Sequence, residues 1–245
     1  METFLEEFNS IIPVLKDWGI SLPEGIEEKL AVYCRELASY NEKVNLVADA
    51  SAEEIVWRHF LDSLACLLGM ENYGQNSFDF KLIDIGSGAG FPGLVLKIAR
   101  PQLKLTLLEA TGKKCEFLNH LVQTLNLSGV EVIWGRAETF AQNPDYREKF
   151  FLATSRALAN LASLYELCLP FLEVGGIFLA QKGRELEKEI KEAGNSLKIL
   201  GGNLEKISPY TIKDRDFNLA IIKKISSTPP KYPRRDGLPQ KKPLK

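Results

Sequence analysis

The residues whose types and spacing suggest chemistry lie in one segment, 82–93, which reads Leu-Ile-Asp-Ile-Gly-Ser-Gly-Ala-Gly-Phe-Pro-Gly. An apolar run that contains Asp84 is followed by glycines at alternate positions and then by Pro92. Glycine has no Cβ, so it adopts positive φ and lets a ligand approach the backbone, and proline suits the first turn of a helix. The segment predicts a strand, a tight turn and a helix start around a nucleotide-type ligand. The three turn glycines are Gly86, Gly88 and Gly90.

Two cofactors are compatible with this glycine spacing. Residues 88–93 satisfy the Gly-x-Gly-x-x-Gly fingerprint of dinucleotide sites, which is weakly specific. Asp84 precedes the first glycine by two residues, where a carboxylate would repel a pyrophosphate and attract a cationic ligand. The pattern Asp-x-Gly-x-Gly-x-Gly is typical of S-adenosylmethionine sites, and the amino and sulfonium groups of that cofactor are cationic. The segment therefore favours S-adenosylmethionine over a dinucleotide.

Two further acidic residues follow the next two predicted strands. Glu109 ends the second strand, 19 residues beyond Gly90, where a carboxylate can accept the hydroxyls of a ribose. Glu138 follows the third strand and could accept from an adenine amino group while Ala137 packs on the ring. A solvated acid at a strand end and an ordinary acid at a helix start are the plainer alternatives.

The segments that must position this site change character near residue 76. Residues 1–75 carry apolar residues at intervals of three and four and show no strand pattern, which predicts an N-terminal helical appendage. Ser51 and Glu54 have the spacing of a capping box and predict a further helix that ends near Gly69. A polar connection is expected at 71–79. The predicted buried stripes are Phe4, Phe8, Ile11 and Ile12 before Pro13, and Ile26, Leu30, Tyr33, Leu37 and Tyr40.

From residue 80 short apolar runs alternate with amphipathic stretches, as in strand-helix-strand units around a mostly parallel sheet. A short loop at 213–216 between the apolar runs 204–212 and 217–225 predicts an antiparallel hairpin. The expected fold class is α/β, with a mostly parallel seven-stranded sheet that ends in this hairpin, over residues 76–226. The other predicted strands are 81–85, 103–108, 130–134, 150–155 and 176–181, and the helices between them lie near 92–99, 112–126, 158–173 and 184–194.

Composition and charge limit the class of protein. With 245 residues, 45% hydrophobic content and a net charge of −1, the chain has the composition of a soluble globular protein. Segment 227–245 is rich in Pro, Lys and Arg and predicts an extended basic tail. The four cysteines are widely separated, which predicts buried thiols and no metal site. The acidic N-terminal segment has no long apolar run, which indicates the cytoplasm and neither a signal peptide nor a membrane span.

No base or nucleophile for a methyl acceptor is evident at the end of the fourth predicted strand. Methylation of a pyrimidine carbon commonly needs a cysteine, and methylation of an exocyclic amine often uses Asn/Asp-Pro-Pro-Tyr. The nearest match, Asn-Pro-Asp-Tyr at 143–146, precedes that strand and is predicted to be a turn at the opposite edge of the sheet. A ring nitrogen with a free lone pair, such as guanine N7, needs no deprotonation and fits this absence.

Several motifs occur in one order along the chain: Tyr-Asn-Glu-Lys-Val-Asn-Leu at 40–46, Arg-His-Phe-Leu-Asp-Ser-Leu at 58–64, the glycine segment with Phe-Pro-Gly at 91–93, Ser-Arg-Ala at 155–157, Lys-Gly at 182–183 and the tail at 232–244. Together they resemble the bacterial 16S ribosomal RNA guanine-N7 methyltransferase family, also called the glucose-inhibited division protein B family. The resemblance covers about residues 30–245. It implies a Rossmann-like class I methyltransferase fold, S-adenosylmethionine as cofactor, and N7 of a guanosine in 16S ribosomal RNA as target.

The resemblance also implies roles for single residues. Members of the family often have Asp-Ser where this chain has Glu109 and Ala110, so the carboxylate is kept on a longer side chain. Arg58 and His59 are expected near RNA or cofactor, whereas an ion pair between Arg58 and Asp62 on a helix surface is the alternative. The implied cofactor contacts are Gly86, Phe91, Ala137, Glu138 and Arg156, with Arg58, His59 and Arg156 as positioning residues. The residues expected to contact RNA are Arg58, His59, Lys182, Arg184, Arg234, Arg235, Lys241 and Lys242, with solvated charge as the alternative.

The expected partner is 16S ribosomal RNA or the small ribosomal subunit, bound by a monomer without metal or membrane attachment. A nucleotide-dependent oxidoreductase is the first rival, and it predicts tight binding of NAD(P)H but not of S-adenosylhomocysteine. A non-enzymatic assembly factor is the second, and it predicts RNA binding without methyl incorporation. A methyltransferase of small molecules would leave the basic tail without a role.

Overall fold

The computed structural model describes residues 2–70, 73, 78–156 and 159–245. Its strands are β1 Lys81–Ile85, β2 Lys104–Glu109, β3 Val130–Trp134, β4 Phe150–Arg156, β5 Leu172–Lys182, β6 Gly202–Ile212 and β7 Arg215–Lys224. They form one seven-stranded sheet in the order β3-β2-β1-β4-β5-β7-β6. The first five strands pair in parallel, and β7 is antiparallel to both of its neighbours. The predicted α/β class with a closing hairpin is therefore confirmed.

Three strands, β5, β6 and β7, begin two or more residues earlier than predicted. β5 begins at Leu172 and not at 176, and its early part contains Gly175 at φ 97°. The strand continues through an irregular register there, and a glycine inside a strand often marks such an irregularity. In the hairpin, Ile212 pairs with Arg215, so the loop is two residues shorter than expected.

The N-terminal part of the chain is helical, as predicted. Ser51 is the N-cap of the predicted helix, because the backbone N–H of Glu54 donates to Ser51 Oγ at 3.3 Å. The reciprocal bond of a capping box is not formed, since the Ser51 N–H donates to Asp49 and the Glu54 carboxylate accepts from Arg58. A π-helical segment, Ile55–Leu61, interrupts the helix that this cap begins. Such segments place side chains differently from an α-helix and are frequent at functional sites. The α-helices of this part are α1 Glu2–Asp17, α2 Ile26–Asn41, α3 Ala52–Glu54, α4 Asp62–Leu64 and α5 Leu67–Met70.

The prediction for the first helix was wrong in two respects: Ile12 is not buried, and the helix does not end before Pro13. Helix α1 continues through Pro13 to Asp17, and its buried residues are Phe4, Phe8, Ile11 and Leu15. Ile12 is 41% exposed. Proline removes a hydrogen bond to the carbonyl four residues earlier, and that residue, Asn9, is exposed, so water can solvate its carbonyl.

Helices cover both faces of the sheet. The remaining α-helices are α6 Gly93–Ala99, α7 Gly112–Thr124, α8 Ala137–Phe140, α9 Leu161–Cys168, α10 Leu186–Ala193, α11 Ser196–Ile199 and α12 Leu238–Lys241. The last helix predicted before β5 is split into α9 and a 3-10 turn, Leu169–Phe171. The one-turn helices α8, α11 and α12 were not predicted, because one turn carries too few apolar positions to show a period.

Side chains alternate in direction along each strand, so the hydrophobic core forms two clusters, one on each face of the sheet. In β1, Leu82 packs with the N-terminal helices, whereas Ile83 and Ile85 pack with α9 on the other face. The N-terminal helices share one hydrophobic cluster with the sheet. Within the described residues, no helix is long and apolar enough to cross a membrane.

The C-terminal segment folds back onto the sheet domain, which differs from the predicted extended tail. Tyr232 is 8% exposed within the core cluster, and Arg147 donates to the carbonyl oxygens of Thr228 and Tyr232 at 2.7 and 2.9 Å. Helix α12 follows. Proline-rich composition indicated an extended backbone, but docking was set by contacts with residues far away in the chain. Most of the predicted connection at 71–79, and Ala157 of the Ser-Arg-Ala motif, lie outside the described residues.

Candidate cofactor and substrate site

The glycine turn after β1 has the backbone that its sequence predicted. Gly86, Gly88 and Gly90 have φ values of 73°, 59° and 99°. A Cβ on Gly90 would lie 2.6 Å from both Tyr33 Oη and Leu94 Cδ1, so this glycine is needed for packing below the loop. A Cβ on Gly88 would meet nothing closer than 3.9 Å, so this glycine faces open space. Pro92 caps α6 from the position before its first residue, one residue earlier than predicted.

Asp84 organises the loop from beneath. It is fully buried; Oδ2 accepts from the backbone N–H of Gly93 at 3.1 Å and Oδ1 accepts from the hydroxyl of Thr154 at 3.1 Å. Burial raises the pKa of Asp84 to about 6, against the opposing effect of these hydrogen bonds. A direct contact with the cofactor was predicted for this carboxylate. Its observed contacts are with the protein, because the side chain points below the strand end.

Glu109 and Glu138 lie at the carboxyl edges of β2 and β3, as predicted. Glu109 Oε2 accepts from Gly88 N–H at 2.9 Å, and Oε1 accepts from Thr111 N–H at 2.8 Å. Glu138 Oε1 accepts from Gly237 N–H at 2.8 Å. Both acids are buried, whereas Gly86 and Ala137 are partly exposed between them. The edge is therefore a groove with a glycine and alanine floor and two carboxylates.

Phe91 is the centre of a stack that joins the glycine loop to the N-terminal helices. The His59 ring lies parallel to it with centroids 4.8 Å apart, and the Tyr33 ring lies parallel to it at 5.3 Å. The Arg156 guanidinium lies 4.9 Å from the ring centroid. Tyr33 Oη also donates to the carbonyl oxygen of Ala89 at 2.6 Å. The π-helical segment thus supplies one wall of the site.

Arg156 joins that wall to the end of β4. It donates to Asp62 Oδ2 at 3.0 Å, and its other terminal nitrogen lies 3.0 Å from His59 Nδ1. A guanidinium only donates, so Nδ1 accepts and the imidazole proton resides on Nε2. Burial, Arg156 and Arg58 lower the pKa of His59 to about 3, so the ring is neutral.

Asp62 faces the site and not the surface. Its Oδ1 accepts from Tyr210 Oη at 2.6 Å, and its backbone carbonyl accepts from Gln181 Nε2 at 2.6 Å. Arg58 instead pairs with Glu54 at 2.7 Å. The alternative expectation of an Arg58–Asp62 ion pair was therefore wrong, because the π-helical segment directs the two side chains apart.

A cavity of about 730 Å³ opens beside this cluster. His59 and Arg156 line it from one side, and the β6–β7 hairpin lines it from the other. Three of its carboxylates, Glu54, Asp62 and Glu189, are ion-paired with Arg58, Arg156 and Lys182. Residues of this wall that the sequence did not indicate are Trp57, Gln181, Lys213, Arg215 and Phe217. The sequence predicted the hairpin from its short loop, but it did not show that the hairpin lies beside this site.

The predicted RNA-contacting residues fall into two groups. Lys182 and Arg234 make internal contacts: Lys182 Nζ lies 2.7 Å from Glu189 Oε2, and Arg234 pairs with the fully buried Glu166. Arg184 is exposed and pairs with Asp216 at 3.1 Å. His59 is half-buried, and Arg58 is exposed and paired with Glu54. The three remaining residues are exposed and have no ion pair in the described part of the chain. They are Arg235, Lys241 and Lys242.

The groove fits a cationic cofactor better than a dinucleotide. Glu109 ends β2 and Glu138 follows β3, so two carboxylates border the groove, and the partly exposed Gly86 and Gly88 leave room for close approach. The turn predicted at 143–146 is present, with Asp145 N–H donating to Asn143 Oδ1 at 3.0 Å. Among the described residues no group of three metal-ligating side chains is found.

Solved structures share the fold. The O-methyltransferase from Bacillus cereus, solved in complex with S-adenosylhomocysteine, has a TM-score of 0.58 at 17% identity and covers 88% of this chain and 97% of its own. The geranyl diphosphate C-methyltransferase from Streptomyces coelicolor has a TM-score of 0.53 at 13% identity, over 79% and 98%. The chain therefore shares the Rossmann-like α/β fold of these two methyltransferases.

Sequence relatives give the family. The profile of the family described as rRNA small subunit methyltransferase G matches residues 26–218. The protein of that name from Moorella thermoacetica is 47% identical over 232 residues, which are 94% of this chain and 95% of the relative. The one from Clostridium novyi is 47% identical over 210 residues, 85% of each chain. The chain belongs to the rRNA small subunit methyltransferase G family, and the resemblance seen in its motifs is confirmed.

Proposed function

We propose that this protein transfers a methyl group from S-adenosylmethionine to N7 of a guanosine in 16S ribosomal RNA, in the cytoplasm. Membership of the family supports ribosomal RNA as the substrate class. The observation that carries the proposal is the shared wall between groove and cavity. His59 and Arg156 contact Phe91 of the glycine loop and also line the large cavity, so a base in the cavity would adjoin the cofactor.

The groove residues receive the following roles. Gly86 and Gly88 let the cofactor approach the backbone, and Glu109 keeps acceptor capacity for ribose hydroxyls beyond its two backbone hydrogen bonds. Ala137 packs against the adenine, and Glu138 accepts from its amino group. The inner residues Asp84, Gly90 and Phe91 hold the loop in place.

The cofactor supplies an electrophilic methyl group, and this chain supplies position and exclusion of water. N7 of guanine attacks with its own lone pair, so the N7–methyl bond forms as the sulfur–methyl bond breaks, and no proton must leave. The site suits this demand: His59 is neutral with Nδ1 occupied, and Asp62 is bound to Arg156 and Tyr210. Catalysis would then rest on in-line placement of two reactants.

In this proposal the exposed basic residues contact the phosphate backbone of the RNA. Arg58 lines the cavity, Arg184 directly follows the lining residue Gly183, and Arg235, Lys241 and Lys242 lie on the C-terminal segment. Contacts to phosphates position RNA without reading its sequence. Lys182 and Arg234 act indirectly, since Glu189 and Glu166 bind them.

The test is incubation with methyl-labelled S-adenosylmethionine and either unmodified small subunits or purified 16S RNA, followed by mapping of N7-methylguanosine. We expect label in one nucleotide of at least one substrate. Label at another atom of the RNA would overturn the N7 assignment, and RNA binding without any label would favour an assembly factor. The Arg58→Ala variant should raise the KM for RNA while leaving S-adenosylhomocysteine affinity within about twofold.

A further inference from the structure

The C-terminal segment reaches the end of the groove where the adenine is proposed to bind. Gly237 N–H donates to Glu138 Oε1 at 2.8 Å. Gln240 lines a cavity of about 50 Å³ together with Gly86, Ala137 and Glu138. Residues more than 90 positions apart in sequence therefore form one corner of the groove.

This segment is anchored on both sides of Gly237. Before it, Arg234 Nε and Nη2 donate to the carboxylate of Glu166 at 2.8 and 2.7 Å, and the backbone N–H of Arg234 adds a third bond at 2.8 Å. Glu166 is fully buried in α9, so this bidentate pair is a strong anchor. After it, Ser163 Oγ donates to the carbonyl oxygen of Pro239 at 2.8 Å. These hydrogen bonds on both sides fix the position of Gly237 beside the groove.

Glu138 depends on this contact for its orientation. The residue is 6% exposed, and a buried carboxylate needs hydrogen-bond donors. Within residues 2–70, 73, 78–156 and 159–245, the N–H of Gly237 is the donor found for it. The bond occupies Oε1 and leaves Oε2 for a ligand.

We propose that the C-terminal segment 232–242 is part of the cofactor site, with Gly237 as a positioning residue. Its N–H holds the Glu138 carboxylate in the orientation that accepts the adenine amino group, and Gln240 closes the outer side of the adenine pocket. This inference rests on the proposed role of Glu138 and adds a segment that the groove residues alone do not require.

A matched pair of glycine substitutions tests it. Gly237 and Gly25 both precede a helix, with φ values of 72° and 74°, and a Cβ on either would meet no atom within 4 Å. Alanine is strained at such φ values, so both variants should lower the Tm by a similar few degrees. Gly237→Ala should weaken S-adenosylhomocysteine binding about three- to tenfold by calorimetry, whereas Gly25→Ala should leave it unchanged.

The preference for a ligand with the adenine amino group distinguishes a positioning role of Gly237 from a general loss of stability. The 6-amino group is replaced by a carbonyl in S-inosylhomocysteine, so the wild type should prefer S-adenosylhomocysteine, and Gly237→Ala should reduce that preference. Unchanged affinity and preference in Gly237→Ala, with weaker binding in Glu138→Gln, would overturn the role of the segment and leave the groove assignment intact. Unchanged binding in Glu138→Gln would overturn both.

Discussion

Arg156 at the end of β4 bonds to Asp62 at 3.0 Å, and this pair connects the sheet to the N-terminal helices at the site. The side chains are 15% and 11% exposed, so the pair is largely shielded from solvent. The same guanidinium reaches His59 and the Phe91 ring. One side chain therefore connects Phe91 of the glycine loop with the cavity wall.

Replacement of Arg156 should affect both stability and cofactor binding. Arg156→Ala leaves Asp62 buried with one partner, and we expect a loss of about 2–3 kcal/mol in unfolding free energy. S-adenosylhomocysteine affinity should fall about tenfold, as measured by calorimetry. Arg184→Ala is the control, because its pair with Asp216 is 68% and 59% exposed and should contribute less than about 1 kcal/mol. Unchanged affinity in Arg156→Ala would remove Arg156 from the cofactor site.

Asp84 should make the protein less stable as pH rises through mildly acidic values. Its pKa is about 6 in the folded state, against an ordinary value of 3.8 for an aspartate side chain. Between these values the folded state keeps a proton that the unfolded state has lost, so the unfolding free energy falls by about 3 kcal/mol. Asp84→Asn should lack this decrease, because an amide does not titrate in this pH range. Its amide oxygen can still accept from the Gly93 N–H, and its NH₂ group can donate to the Thr154 hydroxyl oxygen.

Urea unfolding of both proteins at pH values from about 4 to 7 measures the difference. The gap between their unfolding free energies should change in favour of the variant as pH rises. Parallel curves would show that the carboxyl group titrates normally.

His59 should not titrate between about pH 5 and 8. Its pKa is lowered to about 3, and Arg156 occupies Nδ1. The chain has two histidines, so NMR signals of the imidazole protons are assigned by comparison with His120→Gln. A His59 midpoint near 6.5 would contradict the neutral ring. Since the folded pKa is depressed, His59 stabilises the fold above the unfolded pKa, and this contribution decreases as pH falls toward 3.

Two glycines of one loop should tolerate alanine very differently. At Gly90 the new Cβ would lie 2.6 Å from Tyr33 Oη and Leu94 Cδ1, so strain and overpacking should together cost about 3 kcal/mol. At Gly88 the Cβ has open space, and backbone strain alone should cost about 1 kcal/mol. Denaturant unfolding measures both. Equal losses would mean that Gly90 does not pack against Tyr33 in solution.

For ligand binding we expect the opposite order, with a larger loss of affinity in Gly88→Ala than in Gly90→Ala. Gly88 is partly exposed and its N–H donates to Glu109, so Gly88→Ala should weaken S-adenosylhomocysteine binding more than its effect on stability suggests. Calorimetry on both variants, at a temperature where both are folded, checks this. An unaffected affinity in Gly88→Ala would place the cofactor away from this glycine.

The sequence by itself determined the local features of this protein. The positive φ values of Gly86 and Gly88 and the N-cap at Ser51 follow from residue type and spacing over a few positions. The strand and helix pattern of the sheet followed from hydrophobic period, with errors where Pro13 and Gly175 interrupt an element that continues. These features depend on backbone sterics and on short-range order, which a linear pattern contains.

Tertiary structure decided which distant residues form the site. Arg156 meets Asp62 across 94 positions, and Gly237 meets Glu138 across 99. Neither contact has a period or a spacing in the sequence, because each depends on how helices and the C-terminal segment pack on the sheet. Burial of Asp84 was decided in the same way: the sequence predicted a carboxylate at the cofactor, and packing at the strand end directs it to the loop backbone.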